Sequence, residues 1–456
     1  MKFSYRDRIR WQGRRANSLL IIAILGIFGC DNQKAETSGE EVLTKRLPNI
    51  ILIMADDMGY ESLSCNGSIE YQTPRLDALA AEGIRFTHCI AQPLCTPSRV
   101  KIMTGMHNYN NYEYFGYLNP NQSTFANLLK DKGYATLIAG KWQLNGLSYD
   151  LEGKEDPKRP HHFGFDEYCL WQLTHPRKEG ERYANPLIEQ NGQIVSVTGQ
   201  DYGPDIFADY ILDFIERKKD STFLVYYPMV LVHDPFVPTP DSKTWGIDSL
   251  QYKNDTTNFK DMVEYTDKIV GRIHDKLKEL NIADNTLLIF TGDNGNGRQI
   301  ITDTKKGKIH GFKGNTTDAG TNVPLIASWP GQVKAGTVFD GLVSFTDFYA
   351  TLADIAGADD PREGHSLLPL LQNKPFEGRK YLAVHYDPRW GEGVNIYRNQ
   401  FVRTVDYKLY QDGKFYHVTA DPLESLPLEE NSLSAEQRAV RDFLQGEINK
   451  LPAWKN

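Results

Sequence analysis

Short apolar runs alternate with amphipathic stretches over most of the chain, and this alternation predicts its fold class. The continuous apolar runs are residues 49–55, 134–139, 222–227 and 286–291. Runs of this length are typical of parallel strands that are buried on both faces. Helical periodicity lies between them, at 75–82, 205–218 and 258–280. Strands that alternate with helices predict an α/β fold, a helix-sheet-helix sandwich with a large, mostly parallel central sheet.

The pattern changes after residue 365. Short alternating runs such as 401–405 and 407–410 replace the long apolar ones, and helical periodicity returns near 434–450. Alternation over a few residues predicts antiparallel strands with one face on a core. We therefore expect a main domain over 47–365 and a smaller C-terminal α+β subdomain with an antiparallel sheet over 366–456.

The N-terminal residues differ in composition from the rest. Basic residues precede an apolar run at 19–28, which Gly29-Cys30 follows. A run this short does not span a bilayer, so residues 1–30 are predicted to be a signal peptide. Residues 27–30 look like a bacterial lipobox, in which Cys30 becomes the lipidated, palmitate-bearing N-terminus; a plain secretory signal is the alternative.

Residues 31–46 are polar and lack apolar periodicity, which is typical of a flexible tether. A lipid anchor followed by a tether predicts an exported lipoprotein, held on a membrane in the periplasm or at the cell surface. The whole chain of 456 residues has a formal net charge of −8, so nucleic acid is not expected as a partner. An anionic substrate would have to be held by local cations.

Polar side chains follow the four apolar runs, where a sheet of this class binds ligands. Asp56 and Asp57 come directly after the first run, and Asp293 and Asn294 after the last. Ligand sites of open α/β sheets lie beyond the carboxyl ends of the strands, so these side chains are expected to converge. Their oxygens suit a hard cation, Ca²⁺ or Mg²⁺, and the residues alone do not choose between the two.

Cys95-Thr96-Pro97-Ser98-Arg99 is the most specific motif of the chain. Proline suits the first turn of a helix, and residues 98–103 can continue that helix until Thr104-Gly105 ends it. Cys95 is then at a helix N-terminus, where backbone N–H groups and the helix dipole favour an anion. Arg99, one turn on, adds a guanidinium fork for an oxyanion. The five cysteines of the chain indicate no disulfide framework.

The pattern C-x-P-S-R-x-x-x-x-T-G resembles the signature of the type I sulfatases, the formylglycine-dependent members of the alkaline phosphatase superfamily. The resemblance implies that a formylglycine-generating enzyme oxidises Cys95 to formylglycine, whose hydrate attacks the sulfur of a sulfate ester. It also implies one bound Ca²⁺. The implied ligands match D-D and D-N-G segments of the family and are Asp56, Asp57, Asp293 and Asn294, with the group derived from Cys95.

Three further segments match the family in order along the chain. Lys141 lies in a segment similar to G-K-W-H-L, in which Gln143 replaces the histidine. A neutral amide does not shuttle a proton, so an acid-base role at this position is weakened or moved. The resemblance assigns His233 and Lys313 to the sulfate pocket with Cys95, Arg99 and Lys141, and leaves open whether His233 or Lys313 protonates the leaving group. Gln143 and His310 are expected to contact the substrate.

These observations predict a sulfuric ester hydrolase that acts on extracellular sulfated polysaccharide or oligosaccharide. An arylsulfatase for small sulfate esters is one alternative. A phosphodiesterase or phosphatase of the same superfamily is another, although such enzymes use a serine or threonine nucleophile and two zinc ions. A lipid-anchored glycan-binding protein without catalysis is the third, because of Gln143. Aromatic side chains that can stack on sugar rings are Tyr112, Tyr114, Trp171, Trp245 and Trp390.

Overall fold

The computed structural model describes residues 46–151, 153–175 and 182–454. The predicted signal peptide, Cys30 and all but the last residue of the predicted tether lie outside the described residues. Within the described part of the chain, no helix is both long enough and apolar enough to cross a membrane.

The structure contains strands and helices in the alternation that the sequence predicts. In chain order the strands are β1 (Asn49–Ala55), β2 (Ile84–Ile90), β3 (Ala135–Lys141), β4 (Glu167–Trp171), β5 (Ile188–Gln190), β6 (Gln193–Ile194), β7 (Phe223–Pro228), β8 (Thr286–Gly292), β9 (Ile301–Thr304), β10 (Gly307–His310), β11 (Asn322–Ser328), β12 (Thr337–Ser344), β13 (Leu382–Tyr386), β14 (Asn399–Arg403), β15 (Tyr407–Tyr410) and β16 (Phe415–His417). The helices are α1 (Pro74–Glu82), α2 (Cys95–Thr104), α3 (Asn108–Asn111), α4 (Phe125–Asp131), α5 (Arg159–His162), α6 (Gly203–Lys218), α7 (Asp248–Gln251), α8 (Asn258–Glu279), α9 (Asp318–Thr321), α10 (Thr346–Ile355), α11 (Leu368–Leu371), α12 (Glu392–Asn395) and α13 (Ala435–Ile448).

Ten strands form the large sheet, in the order β12-β2-β11-β8-β1-β7-β3-β4-β5-β6. The central strand β1 pairs in parallel with β7 and β8, and β3 pairs in parallel with β7 and β4. The four apolar runs of the sequence are therefore adjacent strands that point the same way. Their carboxyl ends meet at one edge of the sheet.

Helices cover both faces of this sheet, because successive side chains of a strand point to opposite sides. On β1, Ile50 and Leu52 belong to a buried cluster with side chains of α2, α4 and α10. Ile51 and Ile53 belong to a second cluster with side chains of α1, α6 and α8. The predicted helix-sheet-helix sandwich is confirmed.

A four-stranded antiparallel sheet, β13-β14-β15-β16, lies towards the C-terminus, as expected. One side of it packs against α13, where Val402 and Leu409 cluster with Leu444. Other side chains of the small sheet, including Tyr386 and Phe401, belong to the cluster that contains Cys95. The small sheet therefore helps to build the surroundings of the cysteine. The boundary at 365/366 stays a prediction.

Buried ion pairs join this small sheet to α9. Arg403 and Lys408, on β14 and β15, are fully buried. Arg403 donates to both carboxylate oxygens of Asp318, at 2.7 and 2.8 Å, and Lys408 donates to Glu424 at 2.8 Å. The Lys408 ammonium also donates to the carbonyl of Thr316. These contacts fix the segment just after Lys313 against the small sheet.

Candidate active site

Hydrogen bonds join the loops that follow β1 and β8. The backbone N–H of Asp57 donates to Asp293 Oδ1 at 2.9 Å, and the Asn294 amide donates to Asp57 Oδ1 at 2.8 Å. Asp57 adopts a left-handed backbone with φ 61°, a conformation that aspartate tolerates better than most residues. Asp56, Asp57, Asp293 and Asn294 are all buried. The convergence that the strand ends predict is present.

The buried oxygens of these loops fit a divalent cation. Ligand atoms of Asp56, Cys95 and Asp293 lie within 4.8 Å of one another. Asn294 Oδ1 is buried and accepts no hydrogen bond from the described residues, which leaves it free for a ligand. Burial, with the charges of Asp56 and Asp57, raises the pKa of Asp293 well above its usual value. A cation bound here would relieve that repulsion, and carboxylate and amide oxygens are the donors that hard cations prefer.

Lys141, the last residue of β3, is buried against Asp56. Its ammonium donates to both carboxylate oxygens, at 2.9 and 2.8 Å. Burial raises the pKa of Asp56, but the positive charge of Lys141, helped by other nearby cations, outweighs burial and brings this pKa well below its usual value. Asp56 is therefore ionised, with one cation already fixed beside it.

Lys313 and His233 form a hydrogen-bonded pair over Asp57. The Lys313 ammonium lies 2.6 Å from Asp57 Oδ2 and 3.0 Å from His233 Nε2. His233 Nδ1 lies 2.7 Å from the carbonyl of Asp234, so Nδ1 carries the proton and Nε2 accepts. Burial lowers the pKa of His233. Burial also lowers the pKa of Lys313, but Asp57 more than compensates and raises it. The pair thus consists of a charged lysine and a neutral histidine.

Cys95 begins α2, as predicted, and Gly105 ends this helix in a left-handed conformation with φ 69°. The thiol is buried and lies 4.0 Å from Gln143 Oε1. Burial raises the pKa of the thiol and outweighs the positive charge of Lys141, which lowers it. A protonated, buried thiol is a poor nucleophile. An unmodified Cys95 is therefore ill suited to attack an ester.

Arg99 connects α2, which begins at Cys95, to β3, which ends at Lys141. It is buried one turn into α2 and donates through Nη2 to the backbone carbonyl of Lys141. Its Nε and Nη1 groups have no hydrogen-bond partner among the described residues. The side chain fixes the relative position of Cys95 and Lys141, and its other N–H groups remain available. Contact with an oxyanion stays a prediction.

The two predicted substrate contacts lie in different environments. Gln143 is half-buried beside Cys95 and has a left-handed backbone with φ 47°. His310 is exposed at the end of β10, and no hydrogen bond or ion pair within the described ranges joins it to the other site residues. The structure thus brings Gln143 to Cys95, while the substrate contact expected of His310 stays a prediction.

Two buried residues at the site are missing from the sequence-based set. Arg182 places Nη1 3.8 Å from Asp56 Oδ2, and its guanidinium lies 4.2 Å from the ring centre of Trp171. Tyr386 ends β13, and its hydroxyl has no partner in the described part of the chain. Burial, followed by Cys95, raises the pKa of Tyr386. No local pattern marks either residue, because both reach the site through long-range packing.

Buried oxygens that fit a cation meet two lysines and a cysteine at a helix start, at one edge of the parallel strands. This combination is typical of a hydrolase for anionic esters. Comparison with known proteins supports this class. The family model Sulfatase matches residues 48–358, and the model "N-sulphoglucosamine sulphohydrolase, C-terminal" matches residues 313–451. The chain belongs to the sulfatase family, whose members are sulfuric ester hydrolases. Formylglycine and a divalent metal ion are typical of this family.

Similar proteins include two human sulfatases. Human steryl-sulfatase is 31% identical over 432 residues, which cover 74% of this chain and 72% of the relative. Human arylsulfatase A is 31% identical over 414 residues, which cover 83% of this chain and 78% of the relative. A solved structure described as a complex with k-i-k-neocarrahexaose superposes with a TM-score of 0.69 at 26% identity, covering 89% of this chain and 92% of that one.

Proposed function

We propose that this chain removes sulfate from extracellular sulfated polysaccharide or oligosaccharide, with Ca²⁺ and a formylglycine made from Cys95. The position of Cys95 carries the proposal, since its sulfur lies with the carboxylates of Asp56 and Asp293 at the start of α2. The buried thiol is protonated and gains nucleophilic chemistry only through modification. The solved relative in complex with a neocarrahexaose supports a saccharide substrate.

The residues that would hold Ca²⁺ are Asp56, Asp57, Asp293 and Asn294. When bound, the ion supplies fixed positive charge to a sulfate ester, and formylglycine supplies a hydroxyl nucleophile from its hydrate. Lys141 and Lys313 each lie against a carboxylate of this cluster and add positive charge to it. Charge that builds on sulfuryl oxygens during hydrolysis is stabilised by such preorganised cations.

Lys313 is the proton donor that the geometry favours for the leaving oxygen. His233 is neutral and accepts at Nε2, so the proton that the pair can give is on Lys313 Nζ. His233 accepts from the ammonium at Nε2 and so holds it in place. The neutral Gln143 beside Cys95 donates or accepts hydrogen bonds to position a hydroxyl group, without moving a proton.

Mass spectrometry of the intact tryptic peptide tests the modification. The protein is coexpressed with a formylglycine-generating enzyme, which is the partner we propose, and the peptide that contains Cys95 is expected to carry an aldehyde. A peptide that keeps its thiol throughout would instead support the glycan-binding alternative. Cys65→Ser, which changes a half-buried cysteine outside the site, is the control for the expression system.

Turnover of 4-methylumbelliferyl sulfate, compared with the corresponding phosphate, tests the reaction class. We expect sulfate turnover that Cys95→Ala abolishes and Cys65→Ser retains. Comparable phosphatase turnover, indifferent to Cys95→Ala, would contradict the proposal and favour a phosphatase. After chelation and gel filtration, Ca²⁺ is expected to restore activity at lower concentration than Mg²⁺; the reverse order would reject calcium as the resident ion.

We also propose that Cys30 is lipidated and anchors the enzyme to a membrane. Support comes from the lipobox-like residues 27–30 and the polar residues after them. Labelling of cells with radioactive palmitate is expected to mark the wild-type protein in the membrane fraction. Cys30→Ala should lose the label and the membrane association; an unlabelled wild-type protein would support a plain secretory signal.

A further inference from the structure

Trp390 presents an exposed ring face close to the nucleophile. Its side chain is 47% exposed, and the ring stacks on Phe115 with a centroid distance of 4.2 Å and an angle of 12°. One face of Trp390 is therefore covered by Phe115, while nearly half of the side chain remains exposed. By contrast, Tyr112 and Trp171, two other predicted sugar-stacking residues, are buried. Tyr114 is also exposed, at 42%, and Trp245 is half-buried. The exposed Trp390 ring differs from that of Tyr114 in lying flat on a second ring, that of Phe115.

The Trp390 loop is fixed beside the helix that begins at Cys95. The backbone N–H of Gly116, next to Phe115, donates to Thr96 Oγ1 at 3.1 Å. The hydroxyl of Tyr112 donates to the carbonyl of Pro388 at 2.5 Å. These contacts join the segment around residue 115 both to α2 and to the loop that carries Trp390. We call the stacked rings of Phe115 and Trp390 the aromatic platform.

Arg298 places an unneutralised cation beside the backbone of Lys313. Its Nε donates to the carbonyl of Lys313 at 3.0 Å, and its Nη1 donates to Tyr397 Oη at 3.0 Å. The guanidinium lies 4.5 Å from the ring centre of Tyr397. Arg298 is exposed, yet two hydrogen bonds and a ring face hold it in one orientation. A guanidinium fixed in this way loses little freedom when it binds an anion.

Two other arginines of this region are already paired with a carboxylate. Arg389 and Arg398 share the carboxylate of Asp387, at 3.1 and 3.0 Å. Among the side chains that the structure describes, no carboxylate lies within 4.0 Å of the Arg298 guanidinium. Tyr397, which Arg298 contacts, packs against the buried cluster that contains Cys95 and Phe115. Arg298 therefore has unused hydrogen-bonding capacity that faces solvent beside Lys313.

We propose that the aromatic platform and Arg298 form a substrate subsite for a sugar unit that carries a second negative charge, a carboxylate or a further sulfate. The proposal rests on the proposed function, since it places the hydrolysed sulfate between Lys141 and Lys313. Apolar C–H faces of a sugar ring stack on tryptophan, and a guanidinium fork binds carboxylate or sulfate with two parallel hydrogen bonds. The preferred substrate is then a polyanionic saccharide.

Steady-state kinetics with matched saccharides tests this subsite. The probes are carrageenan- and glycosaminoglycan-derived oligosaccharides of three kinds: one sulfate with neutral neighbours, one sulfate with a uronate neighbour, and two sulfates on adjacent sugars. 4-Methylumbelliferyl sulfate reports the chemistry alone. The wild-type kcat/KM is expected to be at least about tenfold higher for a doubly charged saccharide than for its singly charged counterpart. The uronate and disulfate probes show which second anion is preferred.

Two substitutions separate charge from stacking. Arg298→Ala should reduce the preference for the doubly charged probe about tenfold or more, and Arg298→Lys should restore only part of it, because lysine lacks the fork. Trp390→Ala should raise the saccharide KM about tenfold with little change in kcat, and Trp390→Phe should recover most of the affinity. Arg438→Ala and Tyr252→Ala, exposed residues on α13 and after α7, are the matched controls.

Three results would overturn the subsite. The first is a wild-type kcat/KM that does not rise with a second charge on the saccharide. The second is an Arg298→Ala variant that keeps the full wild-type ratio of kcat/KM values. The third is a saccharide kcat/KM that does not exceed that of the aryl sulfate. Failure of the proposed function has a different signature. In that case a wild-type protein with verified formylglycine hydrolyses neither the aryl sulfate nor any saccharide.

Discussion

The carboxyl of Glu61 gives the sharpest stability prediction, because it is buried without a neutralising cation. It lies in the turn after Asp57, is 3% exposed, and accepts a hydrogen bond from the Asn296 amide at 2.8 Å. No ion pair to Glu61 forms in the part of the chain that is described. Burial raises its pKa from 4.5 to about 7. Glu61→Gln keeps the acceptor oxygen for Asn296 and removes the titrating group.

The size of the effect follows from the two pKa values. The folded protein holds the Glu61 proton more tightly than the unfolded chain, so the unfolded chain ionises first as pH rises. The contribution of Glu61 to the free energy of unfolding is therefore largest below about pH 4.5 and falls as pH rises towards about 7. The difference between these values corresponds to about 3 kcal/mol, lost in full above the folded pKa. At pH 5 the loss is below about 1 kcal/mol.

Urea unfolding at pH 5 and pH 8 measures this difference. In the presence of a chelator, which removes metal binding from the comparison, Glu61→Gln should be about 2–3 kcal/mol more stable than the wild type at pH 8 and nearly equal to it at pH 5. Glu436→Gln, at an exposed position on α13, is the control and should change neither value. A Glu61→Gln effect that is equal at both pH values, or a variant that is less stable at pH 8, would refute the reasoning.

Three further outcomes are expected. Lys313→Ala should lower kcat more for aryl sulfates with poor leaving groups than for those with good ones, whereas His233→Ala should depend less on the leaving group; the reverse pattern would make His233 the acid. Asn294→Ala should weaken Ca²⁺ binding about tenfold in calorimetry, and unchanged affinity would exclude its buried oxygen as a ligand. Arg403→Met should destabilise the protein by about 3 kcal/mol in urea unfolding, because Asp318 loses its arginine and keeps Lys408 at 3.3 Å; no change would mean that Asp318 is solvated.

The sequence was sufficient to predict four adjacent parallel strands of the large sheet and the convergence of the side chains at their ends. Long apolar runs mark strands buried on both faces, and their ends carry the side chains that meet in space, so Asp56, Asp293 and Lys141 could be grouped before the structure was known. Cys95 could be placed at a helix start because Pro97 and Gly105 act locally. Local chemistry and strand direction together determine these positions.

The contacts that escaped prediction depend on how distant segments pack. Arg182 reaches Asp56 from a stretch without periodicity, and Tyr386 reaches the cysteine from the small sheet. The bond from Arg99 to the Lys141 carbonyl joins a helix to a strand in a geometry that residue spacing does not specify. The half-buried Gln143 could be identified from its motif, but its distance from Cys95 could not be predicted from the sequence.

The ion pairs between α9 and the small sheet have a consequence for engineering this enzyme. Asp318 and Thr316, which Arg403 and Lys408 hold, follow Lys313 by only a few residues. A protein cut at residue 365 would leave the Asp318 carboxylate without its arginine and would release the segment that aims Lys313 at Asp57. The two family models overlap over residues 313–358, which is the same stretch. A chimera that takes its C-terminal sheet from another sulfatase must therefore take this stretch with it to keep a working pocket.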